Sequence, residues 1–196
     1  MKVLGLTGGV GMGKSACTDL LRARQIALVD TDELARQVVE PGQPALAEVG
    51  RRFGSEVLSP DGRLNRDELG RRVFADPTAR KQLEQILHPR IRDLWHKQVE
   101  TWRGEGRSLG VVVIPLLFET QAENEFDATL CVASSAATQR QRLLDRGWSA
   151  EQIQQRLAAQ WPVETKIAQA TYVIWSEGSL AVHAEQLDRI LPSVGR

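Results

Sequence analysis

The sequence predicts an α/β fold: a five-stranded parallel sheet flanked by helices, with a helical lobe inserted after the second strand and a smaller helical excursion after the fourth. Three observations carry that expectation. Five short runs are apolar along their whole length, helical periodicity fills the segments between them, and a glycine-rich turn follows the first run. Continuously apolar strands belong in a sheet covered on both faces. Strands alternating with helices imply parallel pairing through right-handed crossovers. The chain has 196 residues, enough for one domain carrying inserted lobes.

The elements follow in order. Apolar, β-branched runs at 2–7, 26–30, 109–114, 128–133 and 171–175 are the strands. The first two enclose the glycine-rich turn and one helix. The gap at 31–108 is too long for one crossover helix and forms the lobe. Within it, Asp76-Pro77 reads as the cap and first position of a helix. Leu83, Ile86, Leu87, Ile91, Leu94, Trp95, Val99 and Trp102 then repeat at helical spacing. Pro89 removes a backbone donor and disfavours helix at His88, so two helices meeting at His88-Pro89 are expected. The second excursion, 138–165, is polar and rich in arginine. In it, Ser149 and Gln152 form a capping box for a helix running to about Gln160, before Pro162. The core is therefore 1–30, 109–137 and 166–196.

Composition narrows the class. The chain is 42% hydrophobic and 26% charged, which excludes a disordered or fibrous protein. Twenty-five basic residues balance twenty-five acidic ones, so nucleic acid and anionic membranes are poor partners, and any anion must be held by a local site. No run approaches the ~18 apolar residues of a membrane span, and the first apolar run is too short for a secretory leader. Cys17 and Cys131 are not needed as a staple at this size. A reduced, cytoplasmic protein without an obligate protein partner is expected.

Gly8-Gly9-Val10-Gly11-Met12-Gly13-Lys14-Ser15 matches G-x-x-x-x-G-K-[ST] at every fixed position, between a strand and a helix. A chance match in a chain this long is roughly a one-in-a-hundred event. Gly8, Gly9, Gly11, Met12 and Gly13 would wrap backbone N–H groups around phosphate oxygens, and the helix opening at Lys14, Ser15 and Ala16 adds its positive end. Lys14 would reach the β- and γ-phosphates of ATP, and the Ser15 hydroxyl would ligate Mg²⁺. The motif says nothing of the second substrate.

The surrounding residues point to a kinase. No N-K-x-D base-reading motif is present, and Asp67-Glu68-Leu69-Gly70 stands in a helical context. The third strand ends in Pro115, not in a metal-binding acid. That leaves Asp30 or Asp32, at the end of the second strand, to handle Mg²⁺ or the acceptor hydroxyl, since strand ends of a parallel sheet converge on the ligand crevice. The plainer alternative is a pair of aspartates capping the next helix. Arg142 and Arg146 share one helical face; arginine forks suit a phosphoryl group, and a solvated basic face is the alternative.

In order along the chain, the motifs resemble the dephospho-CoA kinases, P-loop kinases of the nucleoside/nucleotide kinase-like group. The residues are Leu6 to Ser15, Val29-Asp30-Thr31-Asp32, Ala35-Arg36-Gln37-Val38-Val39, Asp61-Gly62-Arg63-Leu64-Asn65-Arg66, Val73-Phe74, Leu87-His88-Pro89-Arg90-Ile91 and Pro115-Leu116-Leu117-Phe118-Glu119. Thr138-Gln139, Arg142, Arg146 and Gln160 complete the set. The resemblance implies ATP-dependent phosphorylation of the ribose 3′-hydroxyl of dephospho-CoA, the last step of coenzyme A synthesis, with Mg²⁺. It makes Asp32 the general base, Lys14 and Arg142 the other catalytic residues, and Arg146 an ATP ligand. Asp30, which would also ligate the metal with Ser15, joins Arg66, His88, Pro115, Leu116, Leu117 and Glu119 around the acceptor. The lobe at 31–108 becomes the CoA-binding lobe and 138–165 a mobile lid over ATP. Alternatives are another small-metabolite or nucleoside kinase, or a nucleotide-binding module with a dead acceptor site. Where the family has Ala-Asp before its last strand and Asn after it, near the adenine, this chain has Ala170-Thr171 and Ser176-Glu177-Gly178. Adenine recognition through backbone groups, or looser base selectivity, is the expectation.

Overall fold

Each apolar run forms a strand: β1 Lys2–Thr7, β2 Ala27–Asp30, β3 Leu109–Val113, β4 Ala128–Ala133 and β5 Tyr172–Trp175. The structure is a computed structural model and describes residues 1–195. Arg196, the last residue of the expected core, lies outside the described residues, as does the side chain of Phe74 from the resemblance motifs. All strand pairs are parallel, in the order β2-β3-β1-β4-β5. Asp30 is in register with Val113, and Val113 with Leu6. The acid therefore stands two strand spacings, about 10 Å, from the strand that feeds the glycine-rich turn.

Nine helices are described: α1 Lys14–Ala23, α2 Thr31–Gln37, α3 Pro44–Phe53, α4 Arg66–Ala75, α5 Pro77–Gly104, α6 Ala136–Asp145, α7 Ala150–Ala158, α8 Val163–Gln169 and α9 Leu180–Val194. The chain divides into two units, one of Met1–Asp30 with the chain from Val99 onward, the other of Thr31–Gln98. In the first unit, Leu4, Leu6, Val111, Val113, Leu130, Val132 and Ile174 cover one sheet face and pack with Cys17 and Leu21 of α1 and Leu187 and Val194 of α9. The other face is sealed as closely. A Cβ added at Gly5 would lie 2.7 Å from both Leu117 and Phe126, and one at Gly110 would lie 2.6 Å from Trp102. Burial on both faces is why the strands read as continuous apolar runs. Cys17 and Cys131 are buried free thiols in this unit, and desolvation pushes them up to about 12 and about 11.

The second unit has its own core, including Val38, Leu46, Val49, Val57, Leu69 and Ile86. Around it, Arg72 donates to Glu68 Oε1 at 2.6 Å, the Phe53 carbonyl at 2.6 Å and Glu56 Oε2 at 2.5 Å. Asp76 caps α5 as expected, its Oδ1 accepting from Thr78 N at 2.7 Å.

The expected break at His88-Pro89 is corrected: α5 runs unbroken through Pro89. Leu83, Ile86 and Leu87 before the proline, and Ile91 and Leu94 after it, pack on the same core. Proline inside a helix costs about 3 kcal/mol, while full burial of a side chain of this size returns about 1.5–3 kcal/mol, and here Ile86 is buried and Leu83, Leu87, Ile91 and Leu94 are partly so. One continuous apolar face outweighs one lost donor. The Ser149–Gln152 capping box forms, and its helix stops at Ala158, two residues short of the expected end. Among the described residues no helix is long and apolar enough to cross a membrane.

Candidate active site

The turn after β1 is shaped by glycine where a side chain has no room. Gly8 has φ +148°, and a Cβ there would sit 2.4 Å from the Val132 carbonyl oxygen of β4. Gly13, at φ 93°, takes the position before α1 where an N-cap side chain normally stands. Helices α4, α6, α7 and α9 are closed by Asn65, Ser135, Ser149 and Ser179, while α3 and α8 lack a side-chain cap but follow no glycine-rich turn. Helix α1 has no side-chain cap and no acid in its first turn. Its first N–H groups and its positive dipole end are thus left for an anion. Lys14 Nζ curls into the same turn, donating to the carbonyls of Gly8 at 2.6 Å and Gly9 at 3.2 Å. Ser15 is exposed and Ala16 half-buried at the helix start.

Five residues from elsewhere in the chain lace this loop in place. Gln139 Nε2 donates to the Val10 carbonyl at 2.7 Å, and Gln160 Oε1 accepts from Val10 N at 3.0 Å. Met12 is buried, and its Sδ accepts from Ser134 N at 3.1 Å and Ser134 Oγ at 3.2 Å. Arg142 spans to the end of β5, donating to Ser176 O at 2.6 Å, Ser176 Oγ at 2.9 Å and Gly11 O at 3.4 Å. Ser176 Oγ closes the circuit by donating to Met12 O at 2.7 Å. Ser176 is buried, and its hydroxyl turns to the loop. His183 of α9 is held below the usual imidazole range by burial first and then by the Arg142 charge.

These bonds tie the polar segment 138–165 to the loop. Gln139 and Leu143 of α6 and Ile153 of α7 are all buried. Arg142 is engaged with the loop and with Ser176, while Arg146, at the C-terminal end of α6, is exposed. Asp32 stands in the first turn of α2, exposed, because the helix starts immediately after Asp30, which remains half-buried at the end of β2. Leu117 is fully buried, its side chain against Gly5. Pro115 and Leu116 are half-buried, and Arg66 and His88 are exposed in the other unit. Glu119 is tied to Lys166, a fully buried lysine of α8 that sequence reading passed over. The spacing of Val163, Lys166, Ile167 and Ala170 along that short helix was the available signal.

The family model for dephospho-CoA kinase matches residues 2–181. The chain belongs to the dephospho-CoA kinase family. A relative of that name from Anaeromyxobacter dehalogenans is 46% identical over 192 residues, covering 97% of this chain and 91% of its own. A Thermus thermophilus structure superposes with a TM-score of 0.86 at 34% identity, over 98% of this chain and 97% of that one. The dephospho-CoA kinase of Campylobacter jejuni shares the fold, with a TM-score of 0.72 at 22% identity over 98% and 96% of the two chains. In this family the donor is ATP, and the open end of α1 is the feature suited to its phosphates.

Proposed function

We propose that this chain transfers the γ-phosphoryl group of ATP to the ribose 3′-hydroxyl of dephospho-CoA, with donor and acceptor handled by different parts of the chain. The observation that supports this most directly is the uncapped, acid-free start of α1 beneath a glycine loop ending in Lys14. Such a site stabilises phosphate oxygens through fixed dipoles, which need no reorganisation as charge moves. Phosphoryl transfer asks little else of a protein than positioning and charge stabilisation. Lys14 would neutralise the β- and γ-phosphates. The exposed Ser15 hydroxyl and the Asp30 carboxylate are hard oxygen donors of the kind Mg²⁺ takes, and the ion bound there would neutralise charge on the same phosphates. Asp32 orients the acceptor hydroxyl and takes its proton. The helical unit Thr31–Gln98, with Arg66 and His88, reads the CoA portion. The protein works in the cytoplasm.

Purified protein supplied with Mg-ATP should form ADP only when dephospho-CoA is added, and phosphorus NMR of the product should show a 3′-phosphomonoester. ADP release that is the same without acceptor, or equal with adenosine in its place, would overturn the assignment.

Arg142 gives a sharper test of the donor site. Its fork reaches both Ser176 and Gly11, and a lysine at that position cannot span the two. Arg142→Lys should keep the charge yet lower turnover about tenfold or more, the worth of one charge-assisted hydrogen bond of about 1.5–3 kcal/mol. Unchanged steady-state kinetics would leave Arg142 a structural tie with no part in turnover.

A further inference from the structure

We infer that Glu119 is a positioning residue for the phosphate loop, acting with Lys166 through the peptide that carries Gln160, and not a ligand of the acceptor. This inference rests on the nucleotide reading of the loop and adds the part that sets its shape. Lys166 is fully buried, and its Nζ donates to Glu119 Oε1 at 2.7 Å and to the Pro115 carbonyl at 2.9 Å. The same Glu119 Oε1 accepts from the backbone N–H of Trp161 at 2.9 Å. That N–H belongs to the peptide joining Gln160 to Trp161, so fixing it fixes the backbone from which the Gln160 side chain reaches Val10 N at 3.0 Å.

The charges argue the same way. A carboxylate standing free near a triphosphate would repel it, whereas Glu119 has its charge answered by Lys166. Its other oxygen, Oε2, is closed off from solvent, with no hydrogen-bond partner among the described residues, so a CoA-sized acceptor has no approach to it. Lys166, for its part, is too deeply buried to meet phosphate. A pair that reaches neither substrate, yet ends on the loop's backbone, acts through that backbone. Val10 lies between Gly9 and Gly11, and both of its polar main-chain atoms are held by glutamine side chains. Its N–H is thereby directed to Gln160, leaving the phosphates to the neighbouring glycine amides.

The test removes the pair without leaving one charge buried alone, by combining Glu119→Leu with Lys166→Met. That variant, Gln160→Ala and the triple variant are compared for ADP affinity by calorimetry and for the KM of each substrate. The pair variant and Gln160→Ala should each weaken ADP about tenfold, the worth of one hydrogen bond, with the KM for dephospho-CoA within about twofold of wild type. The triple variant should be no weaker than the weaker of the two, because both changes cut one relay. Losses that add, or a raised KM for dephospho-CoA with ADP affinity unchanged, overturn the relay. If the pair variant does not fold, Gln160→Ala decides alone: ADP affinity equal to wild type overturns it. Wild-type protein that fails to bind ADP would remove the nucleotide reading itself.

Discussion

Lys14→Ala should lower phosphoryl transfer by about 10³-fold while leaving a folded protein. The ammonium group lies inside the glycine loop, donating to the carbonyls of Gly8 and Gly9. Residues 10–12 of the loop are held independently of it, by Gln139, Gln160, Arg142 and Ser176 from outside. Lys14 is only half-buried, so truncation removes little packing. What it removes is a fixed positive charge where charge on the β- and γ-phosphates would otherwise go unanswered. Loss of one preorganised donor of this kind costs about 10²–10³ in turnover, and a full charge in place of a dipole argues for the upper end. The measurement pairs steady-state turnover with thermal unfolding. A variant that melts with wild type and turns over near normally would take Lys14 out of the mechanism.

The limits of sequence reading fall where contacts are long-range. The strands are legible because burial on both faces leaves mostly apolar residues, and the loop because Gly8 and Gly13 occupy positions no side chain fits. Pro89 misleads because a local rule, the missing donor, competes with packing that is visible only once Leu83 and Ile91 are seen on one core. The segment 138–165 reads as a polar face because glutamine and arginine resemble solvated residues. Its Gln139 and Arg142 are instead spent on main-chain atoms of Val10 and Gly11, far away in the chain. Lys166 escapes for the same reason, and the motif that carries Glu119 gives no sign of the partner placed 2.7 Å from it. Asp32 is legible as a residue and, in the helix-cap alternative, as a helix start, but not in the detail that α2 begins one residue after β2 ends.

That position sets the terms of the second large effect. An acid in the first turn of a helix stabilises it by about 0.3–1 kcal/mol through the dipole, so Asp32 would be worth keeping even in a protein that transfers nothing. Turnover and stability therefore have to be read side by side. Asn at position 32 can still accept a hydrogen bond and still suits a helix start, so Asp32→Asn should unfold within a few degrees of wild type. It cannot take a proton. Positioned general-base assistance is typically worth 10²–10⁴-fold, and turnover should fall by about that much with ATP affinity nearly intact. Asp30→Asn is the control, because Asp30 ends β2 two strands from the phosphate loop and is assigned to the metal and its waters. Its loss should weaken Mg-ATP. If Asp32→Asn is the variant that loses Mg-ATP while Asp30→Asn binds it and fails to turn over, the two roles are exchanged. If Asp32→Asn lowers the melting temperature and leaves turnover alone, the acid at the start of α2 serves its helix and the proton goes elsewhere.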